Sequence, residues 1–300
     1  MSQRVAPSAK AGIAALLACA AFWSLSGLLI KLLKQSGVDG VTIACSRSLI
    51  GGLVFLPFAL PQHKSLRNVH PGWIAAGVVL FTLMTTTYVI SNTLTGAANA
   101  IILQCTSPLW VFMLSPFLLG ETARRREALV LLLSMAGIGV IFFGNPSGEL
   151  PGLTIALFSG VWYGALTVTL RRLRPVAPLV VTCVNTLGSG LILLPLLVWD
   201  ANGVPQRTAY QLALLLIMAL VQFSAPYALF SWALQRVDAP KASLIVLLET
   251  VLNPLWAYVG VGEVPPPATI VGGAMILASV IGLLAVSVRS QPSFGQEAAP

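Results

Sequence analysis

Long runs without charged residues are the feature that most constrains how this chain can fold. Seven runs of at least 20 residues contain no Asp, Glu, Lys or Arg: 11–30, 68–120, 128–148, 150–170, 175–199, 208–235 and 264–288. A helix of about 20 apolar residues crosses the hydrocarbon layer of a bilayer, which is ~30 Å thick. The run at 68–120 is long enough for two helices, and segments 41–60 and 242–261 qualify if each carries one charged residue. The sequence therefore predicts ten transmembrane helices.

The composition of the chain agrees with this interpretation. Hydrophobic residues make up 57% of the sequence and charged residues only 9%, and the mean hydropathy is +0.89. Soluble domains contain about 25% charged residues. The predicted fold class is therefore an all-α membrane protein.

The ten predicted helices divide into two groups of five. Their expected bounds are about 11–30, 41–60, 72–92, 100–119, 128–144, 153–170, 178–199, 208–235, 241–261 and 268–288. A connector rich in Gly and Pro at 145–151 separates the halves at 11–144 and 151–288. The polar tails at 1–10 and 289–300 are expected to be disordered.

The basic residues predict the orientation of the chain in the membrane. With the N-terminus placed in the cytoplasm, thirteen Lys and Arg fall inside, and only Lys31, Lys34 and Arg207 fall outside. Cytoplasmic loops of membrane proteins carry such an excess, so both termini are predicted to be cytoplasmic. The net charge of +8 is thus expected to set topology and not to bind nucleic acid. The run at 11–30 is interpreted as the first helix and not as a cleaved signal peptide.

The sequence contains an internal repeat. A shift of 142 residues places residues 97–100 on 239–242 and Gly-Glu at 120–121 on Gly-Glu at 262–263. Slightly smaller shifts place Trp23 on Trp162. Because each half has an odd number of helices, the second half enters the membrane from the opposite side. Inverted repeats of this kind hold a substrate site near the midplane and alternate its access by rocking the halves.

These features together resemble a known family. Trp23 and Trp162 in the first helix of each half, Arg47 in the second helix, and the repeated Gly-Glu pair are similar to the drug/metabolite transporter superfamily, EamA type. The resemblance covers about residues 13–286 and implies a secondary transporter, often an exporter of amino acids or other small metabolites. It also implies a central cavity formed by helices 1, 3, 4, 6, 8 and 9. The second half departs from the first at Asn185, which stands about where Arg47 stands.

Glu249 is the first candidate for a functional site. It lies in the apolar segment 242–261, eight residues after Lys241, with Asn253 four residues later and then Pro254. An ionisable residue inside a bilayer costs about 2.5 kcal/mol or more and is by default a functional candidate. We expect Glu249 to bind a substrate ammonium or a coupling proton, with Asn253 on the same face. The alternative is a structural ion pair or a hydrogen bond between helices.

Further polar residues occur at helical spacing in the predicted spans. They are Gln104 and Ser107 beside Pro108 in helix 4, Tyr88 and Asn92 in helix 3, and Gln222 and Tyr227 around Pro226 in helix 8. Their donors and acceptors suit the polar groups of a substrate in a cavity between the halves. Polar residues also hold membrane helices together, so a packed interface between helices is the alternative.

Aromatic residues and one arginine complete the set of candidates. Trp23, Trp162 and the adjacent Tyr163 lie in mid-span, where stacking on a substrate, cation–π contact with an amine or core packing are all open. Arg47 either holds a substrate carboxylate in a bidentate contact or reaches the outer headgroups by snorkelling. Glu121 and Glu263, at helix ends, are expected to stabilise the N-terminus of the following helix.

Motifs of other function classes are missing from the sequence. It contains no HExxH motif, no histidine in a predicted span and no phosphate-binding loop with its lysine, so it does not predict an enzyme. His63 and His70 share a polar loop without further ligands, and no metal or cofactor is predicted. The four cysteines show no metal or redox spacing.

The sequence therefore predicts an EamA-type transporter of the bacterial inner membrane that exports amino acids or similar small amines and zwitterions. Its expected partners are the small-molecule substrate, protons if transport is coupled, and the lipid bilayer, with a monomer or homodimer as the assembly. The alternatives are a membrane receptor or scaffold that transports nothing, and a passive metabolite channel.

Overall fold

All regular elements in the described part of the chain are helices. The structure, a computed structural model, describes residues 9–119, 125–145, 147–198, 207–233, 236–237, 242 and 245–289. The predicted site residues all fall within these ranges, whereas Glu121 lies outside them.

The described residues of the first half form five helices, two of which are interrupted. They are α1 (Ala9–Ser24 and, after a break at Leu25, Ser26–Gln35), α2 (Gly40–Ala59, continued by a 3-10 helix at Leu60–Asn68), α3 (Pro71–Leu94), α4 (Ala97–Gln104 and, after a break at Cys105 and Thr106, Ser107–Leu119) and α5 (Arg125–Gly144).

In the second half, the part of the chain that the structure describes again forms five helices. They are α6 (Leu150–Arg172, after a 3-10 turn at Ser147–Glu149), α7 (Pro178–Val198), α8 (Ala209–Ile217, a π-helix at Met218–Ser224 and Ala225–Ala233), α9 (Leu248–Val261) and α10 (Pro267–Arg289). The prediction of ten helices is confirmed. Residues 242, 245 and 246 are also helical and precede α9, from which a turn at Leu247 separates them.

Among the described residues, six helical segments are long and apolar enough to cross a membrane. They are Lys10–Gln35, Gly40–Asn68, Pro71–Leu94, Leu150–Arg172, Pro178–Leu197 and Ala209–Phe230. Two shorter apolar segments lie at Leu132–Gly144 and Pro267–Gly282. The all-α membrane class is confirmed.

Local sequence signals explain several helix ends. The side chain of Asp39 accepts a hydrogen bond from the backbone N–H of Thr42 (2.8 Å) and so caps α2. Thr208 and Gln211 form a reciprocal capping box at the start of α8. Gly262 ends α9 with a φ of 70°, a left-handed conformation that favours glycine.

The helices pack mainly across the two halves. The most extensive pairings are α2 with α7, α3 with α6, α5 with α10 and α4 with α6, followed by α1 with α8, and each joins one helix from each half. Glycines bring these helices close together: a Cβ on Gly52 of α2 would lie 2.7 Å from the Cα of Leu187 in α7. A Cβ on Gly137 of α5 would lie 2.7 Å from the carbonyl oxygen of Gly272 in α10. Small residues permit this approach in membrane proteins.

The predicted tails differ slightly from the structure. Ala9, Lys10 and Arg289 belong to helices, because α1 begins and α10 ends beyond the apolar runs that were used to place them. The rest of both tails lies outside the described residues.

Candidate functional site

A break in the helix that carries Glu249 determines the geometry of the candidate site. The sequence predicts one helix over 241–261 that is weakened at Pro254. The structure places the break at Leu247 instead, and α9 continues through Pro254. A membrane helix can keep an internal proline where neighbouring helices hold it, and α9 packs against α1 and α4.

The breaks in α4 and α9 are related by the repeat. A shift of 142 residues places Cys105, where α4 is interrupted, on Leu247. The Cys105 thiol lies 2.9 Å from the hydroxyl of Thr250 in the first turn of α9, so the two interrupted helices touch beside Glu249. Non-helical backbone at membrane depth is tolerated where protein or a cavity surrounds it, and discontinuous helices of this kind form substrate sites in transporters.

Glu249 lies in the first turn of α9, deep in the bundle. About 18 Å of helix separates it from Val261, since an α-helix rises 1.5 Å per residue. Its side chain is half-buried and forms no hydrogen bond or ion pair with another described residue. The positive end of the helix dipole favours a negative charge at this position, but no cation in the described chain compensates it.

Three tyrosine hydroxyls lie within electrostatic range of Glu249. Its carboxylate is close enough to act electrostatically on the hydroxyl groups of Tyr88, Tyr163 and Tyr227, which lie on α3, α6 and α8. Tyr163 exposes 41% of its surface, although groups from α4, α8 and α9 act on it.

Asn253 belongs to a hydrogen-bonded group that links α1, α3 and α9. Its Nδ2 donates to the hydroxyl of Ser26 (2.9 Å), which lies 2.7 Å from the hydroxyl of Tyr88. Asn253 is fully buried, and its Oδ1 finds no partner among the described residues. Ser26 is the first residue after the break in α1. The group therefore fixes the position of Tyr88 beside Glu249.

Arg47 lies inside the bundle and does not reach the outer headgroups, so the snorkelling alternative is wrong. It is 4% exposed. Its Nη2 donates to the hydroxyl and to the carbonyl oxygen of Thr85, and its guanidinium carbon lies 5.2 Å from the ring centroid of Phe223. These contacts from α3 and α8 hold the side chain away from the membrane surface. No carboxylate in the described chain pairs with it.

The two predicted tryptophans have different surroundings. The ring centroid of Trp23 lies 5.3 Å from that of Tyr227, which in turn lies 5.3 Å from that of Phe223. Trp23 is thus continuous with the aromatic residues beside Arg47. Trp162 stacks on Phe158 of its own helix at 6.1 Å and packs against the core. Its contacts are those expected of core packing.

The remaining predicted polar residues are spread around this centre. Gln222 donates to the carbonyl oxygen of Trp23 (3.3 Å) and Asn92 to that of Tyr88 (3.0 Å), and the side-chain oxygen of each lacks a described partner. Gln104 is half-buried at the break in α4. Ser107 begins the second part of α4 and falls on Glu249 under the 142-residue shift.

A different arrangement occurs at the end of the bundle that carries Lys31, here called the Lys31 end. Lys31 and Glu263 form an ion pair of 2.7 Å, and the other carboxylate oxygen of Glu263 accepts the backbone N–H of Ala97 at 2.5 Å. Glu263 therefore stabilises the N-terminus of α4 in the opposite half, and the expectation that it stabilises the following helix is wrong. The turn at Gly262 directs the chain towards α4.

The cavity at the Lys31 end is separate from Glu249. It has a volume of about 250 Å³ and is lined by residues that include Lys31, Lys34, Glu149 and Glu263. The side chain of Glu149 is also paired there, since it accepts hydrogen bonds from Thr95 (2.5 Å) and Asn99 (3.0 Å).

Sequence reasoning missed three residues of the candidate site. Ser26 could have been found as a small polar residue near Trp23, but nothing in the sequence singles out Thr85 or Phe223. Their importance comes from contacts with Arg47, which join residues 38 positions apart or more in the chain.

The model of the EamA-like transporter family matches the chain twice, at residues 10–143 and 150–285. The chain belongs to the EamA-like transporter family. The resemblance noted from the sequence is thereby confirmed, and the two matches correspond to the two duplicated halves. The family consists of membrane transporters and not of enzymes.

Relatives of this EamA transporter agree with that assignment. An uncharacterized transporter of Archaeoglobus fulgidus is 28% identical over 86% of this chain and 91% of its own length. A probable terminal-alkyne amino-acid exporter of Streptantibioticus cattleyicolor is 24% identical over 62% of this chain and 63% of its own length. A protein known from a crystal structure shares the fold with a TM-score of 0.64 at 19% identity, covering 94% of this chain and 99% of its own.

Proposed function

We propose that this EamA transporter exports small amines or zwitterions, amino acids foremost, across a bacterial inner membrane. The observation that carries the proposal is the carboxylate of Glu249, which lies deep in the bundle without a partner among the described residues. A buried charge is costly unless it is paired. A substrate ammonium would supply the missing partner, and proton uptake at the same carboxylate would allow coupling.

The proposed binding residues are Glu249 and polar or aromatic residues on α1, α2, α3, α4, α6, α8 and α9. They are Glu249, Asn253, Gln104, Ser107, Tyr88, Asn92, Trp23, Trp162, Tyr163, Gln222, Tyr227 and Arg47. Tyr88, Tyr163 and Tyr227 have the most direct support, since the carboxylate acts on all three. Trp162 has the least, because its contacts are packing contacts.

Alternating access is the proposed mechanism. Both termini lie in the cytoplasm in this proposal, and the halves form an inverted repeat around the site. The pairing of helices across the halves supports a two-fold relation between them. At the Lys31 end, the ion pair between Lys31 and Glu263 joins the two halves. Rocking one half against the other would open this end and release the substrate outside.

The relative from Streptantibioticus cattleyicolor supports the substrate class. Its description as a probable amino-acid exporter agrees with a site that needs a positive group on its ligand. Amino acids carry that group, and so do simple amines, which the experiment must therefore include.

Flux measurements in proteoliposomes test the proposal. Purified protein is reconstituted and supplied with amino acids, amines and organic acids, with and without a pH gradient. We expect saturable flux of amino compounds, which Glu249→Gln strongly reduces. Glu149→Gln is the control for a carboxylate that is already paired, with Thr95 and Asn99; it should retain saturable flux of the same compounds.

Three results would contradict the proposal. Flux that does not saturate would indicate a channel, absence of flux for every compound would favour a receptor or scaffold, and normal flux in Glu249→Gln would remove the proposed role of the carboxylate. Flux driven by the pH gradient would identify proton coupling, whereas equal flux without it would identify facilitated transport.

A further inference from the structure

Two oppositely charged side chains inside the bundle lack a charged partner. Arg47 on α2 and Glu249 on α9 form no ion pair with each other or with another described residue. Removing a charge from water is costly unless an opposite charge or several hydrogen bonds compensate it. A single uncompensated charge could have no role in binding. Here a positive and a negative side chain both lack a counter-charge, so a ligand with both charges could compensate them.

Tyr88 and Tyr227 link the surroundings of the two charges. Arg47 contacts Thr85, which lies one turn before Tyr88 on α3, and Phe223, whose ring contacts that of Tyr227. Tyr88 in turn bonds to Ser26, which accepts from Asn253, four residues after Glu249. Tyr88 and Tyr227 are separated by the same number of residues as Trp23 and Trp162, which places one tyrosine in each half of the repeat. The positive centre therefore comes from the first half and the negative centre from the second, with the tyrosines near both.

Several hydrogen-bond donors of the Arg47 guanidinium group have no partner among the described residues. An arginine carries five N–H donors, and only Nη2 is engaged, with Thr85. Nε is buried without a partner, and Nη1 forms no hydrogen bond with the described residues. Thr85 and the ring of Phe223 thus position the group and leave donors for a ligand. A planar guanidinium favours carboxylates, which it binds through paired hydrogen bonds.

We infer that Arg47 and Glu249 are the two poles of one site that selects zwitterions over simple amines. Arg47 binds the carboxylate of the ligand, Glu249 binds its ammonium group, and a ligand with both groups compensates both buried charges at once. This inference rests on the proposed function and narrows its substrate class to compounds that carry a carboxylate as well as an amine.

Matched ligands test the assignment of each pole. The ligand pairs are leucine and leucinamide, phenylalanine and phenylalaninamide, and alanine and alaninamide, where each amide lacks the carboxylate. Binding is measured on the full-length purified protein as ligand-induced thermal stabilisation and as counterflow in proteoliposomes. In the unmodified protein we expect at least one amino acid to bind about 10- to 100-fold more tightly than its amide, as expected for a hydrogen-bonded charge pair.

Substitution of each pole should act on a different part of the ligand. Arg47→Gln should remove the preference for the amino acid and change amide binding less than about 3-fold. Glu249→Gln should weaken binding of the amino acid and of the amide alike. Arg207→Gln is the control, because Arg207 lies at the start of α8 and donates to Thr42 at 3.3 Å; the preference should persist.

The outcomes separate this inference from the proposed function. If amino acids and amides bind equally to the unmodified protein, the inference fails and transport of amines stands. If Arg47→Gln weakens both members of a pair equally, Arg47 is only structural and the inference fails. If no amino compound binds at all, the proposed function itself fails. Should Arg47→Gln not fold, Arg47→Lys replaces it, with an expected loss of affinity limited to the amino acids; an equal loss for the amides would overturn the inference.

Discussion

Glu249 and Glu263 lie on the same helix or directly after it, yet their surroundings differ. Glu263 pairs with Lys31 at 2.7 Å and accepts the N–H of Ala97 at 2.5 Å. Glu249, at the other end of α9, has neither an ion pair nor a hydrogen bond within the described chain. The protein supplies the partner of one carboxylate and leaves the other without one.

This difference indicates what each carboxylate does. A charge at Glu263, near the membrane surface, costs less free energy than a charge at Glu249. Glu263 nevertheless has both an ion pair and a hydrogen bond. Glu249 lies where an unpaired charge is most costly, so stability alone gives no reason to retain it. We therefore assign Glu263 to the structure of the bundle and Glu249 to the ligand.

The largest expected effect is on transport. Glu249→Gln should lower the rate of substrate flux by about 10- to 100-fold, because a charged hydrogen bond to the substrate contributes about 1.5–3 kcal/mol and 1.4 kcal/mol corresponds to a factor of ten. Glu263→Gln, measured on the same amount of folded protein in proteoliposomes, should keep most of its flux. The assignment would be reversed if the second variant lost flux and the first kept it.

Stability should respond in the opposite order. Glu263→Gln should lower the free energy of unfolding by about 1–3 kcal/mol, since it leaves Lys31 without its counter-ion and weakens the bond to Ala97. Glu249→Gln should leave stability unchanged or raise it, because it removes an uncompensated charge. Thermal unfolding of the detergent-solubilised variants measures both. A strong loss of stability in Glu249→Gln would indicate a structural partner for that residue.

A substitution that disturbs the packing around Asn253 should lower stability by a similar or smaller amount. A Cβ on Gly27 would clash with the amide of Asn253 and lie 2.8 Å from the Cβ of Ala97. Gly27→Ala should therefore destabilise the protein by about 1–3 kcal/mol and weaken substrate binding. Gly139→Ala in α5 is the matched control, because nothing lies within 4 Å of its added Cβ. Equal unfolding temperatures for the two variants would contradict the close contact of α1 and α9.

The smallest effect is expected at Ser26. Its hydroxyl connects Asn253 and Tyr88, and Ser26→Ala should cost about 1 kcal/mol of stability. The substrate concentration for half-maximal flux should rise a few-fold, since Tyr88 loses one of its supports. The concentration for half-maximal flux is obtained by measuring the initial flux at a series of substrate concentrations. An unchanged value would exclude a role of this hydrogen-bonded group in binding.

The sequence alone was sufficient to predict the features that the bilayer imposes on the chain. The all-α class, the ten helices and the duplication follow from the apolar runs and from the 142-residue shift. Glu249 could be selected because ionisable residues are rare in spans. The break at Leu247 could not be located, since hydropathy does not distinguish a continuous helix from an interrupted one, and Pro254 indicated the wrong place.

Contacts between distant residues account for the rest of what the sequence did not predict. Glu263 pairs with Lys31 of the other half. Its position in the sequence, at the end of a helix, indicated only an interaction with the next helix. Arg47 could snorkel or face inwards, because its long side chain reaches both environments. The choice depends on Thr85 and Phe223, which only the folded structure brings to it.

Protection of Glu249 from chemical modification tests the central claim most directly. A hydrophobic carbodiimide is added to the protein in membranes, and mass spectrometry measures modification of Glu249 and Glu263 with and without a transported substrate. We expect that Glu249 reacts and that saturating substrate protects it, whereas the modification of Glu263 does not change. Modification of Glu249 that is the same with and without a transported substrate would contradict the claim that this carboxylate is kept unpaired for the ligand.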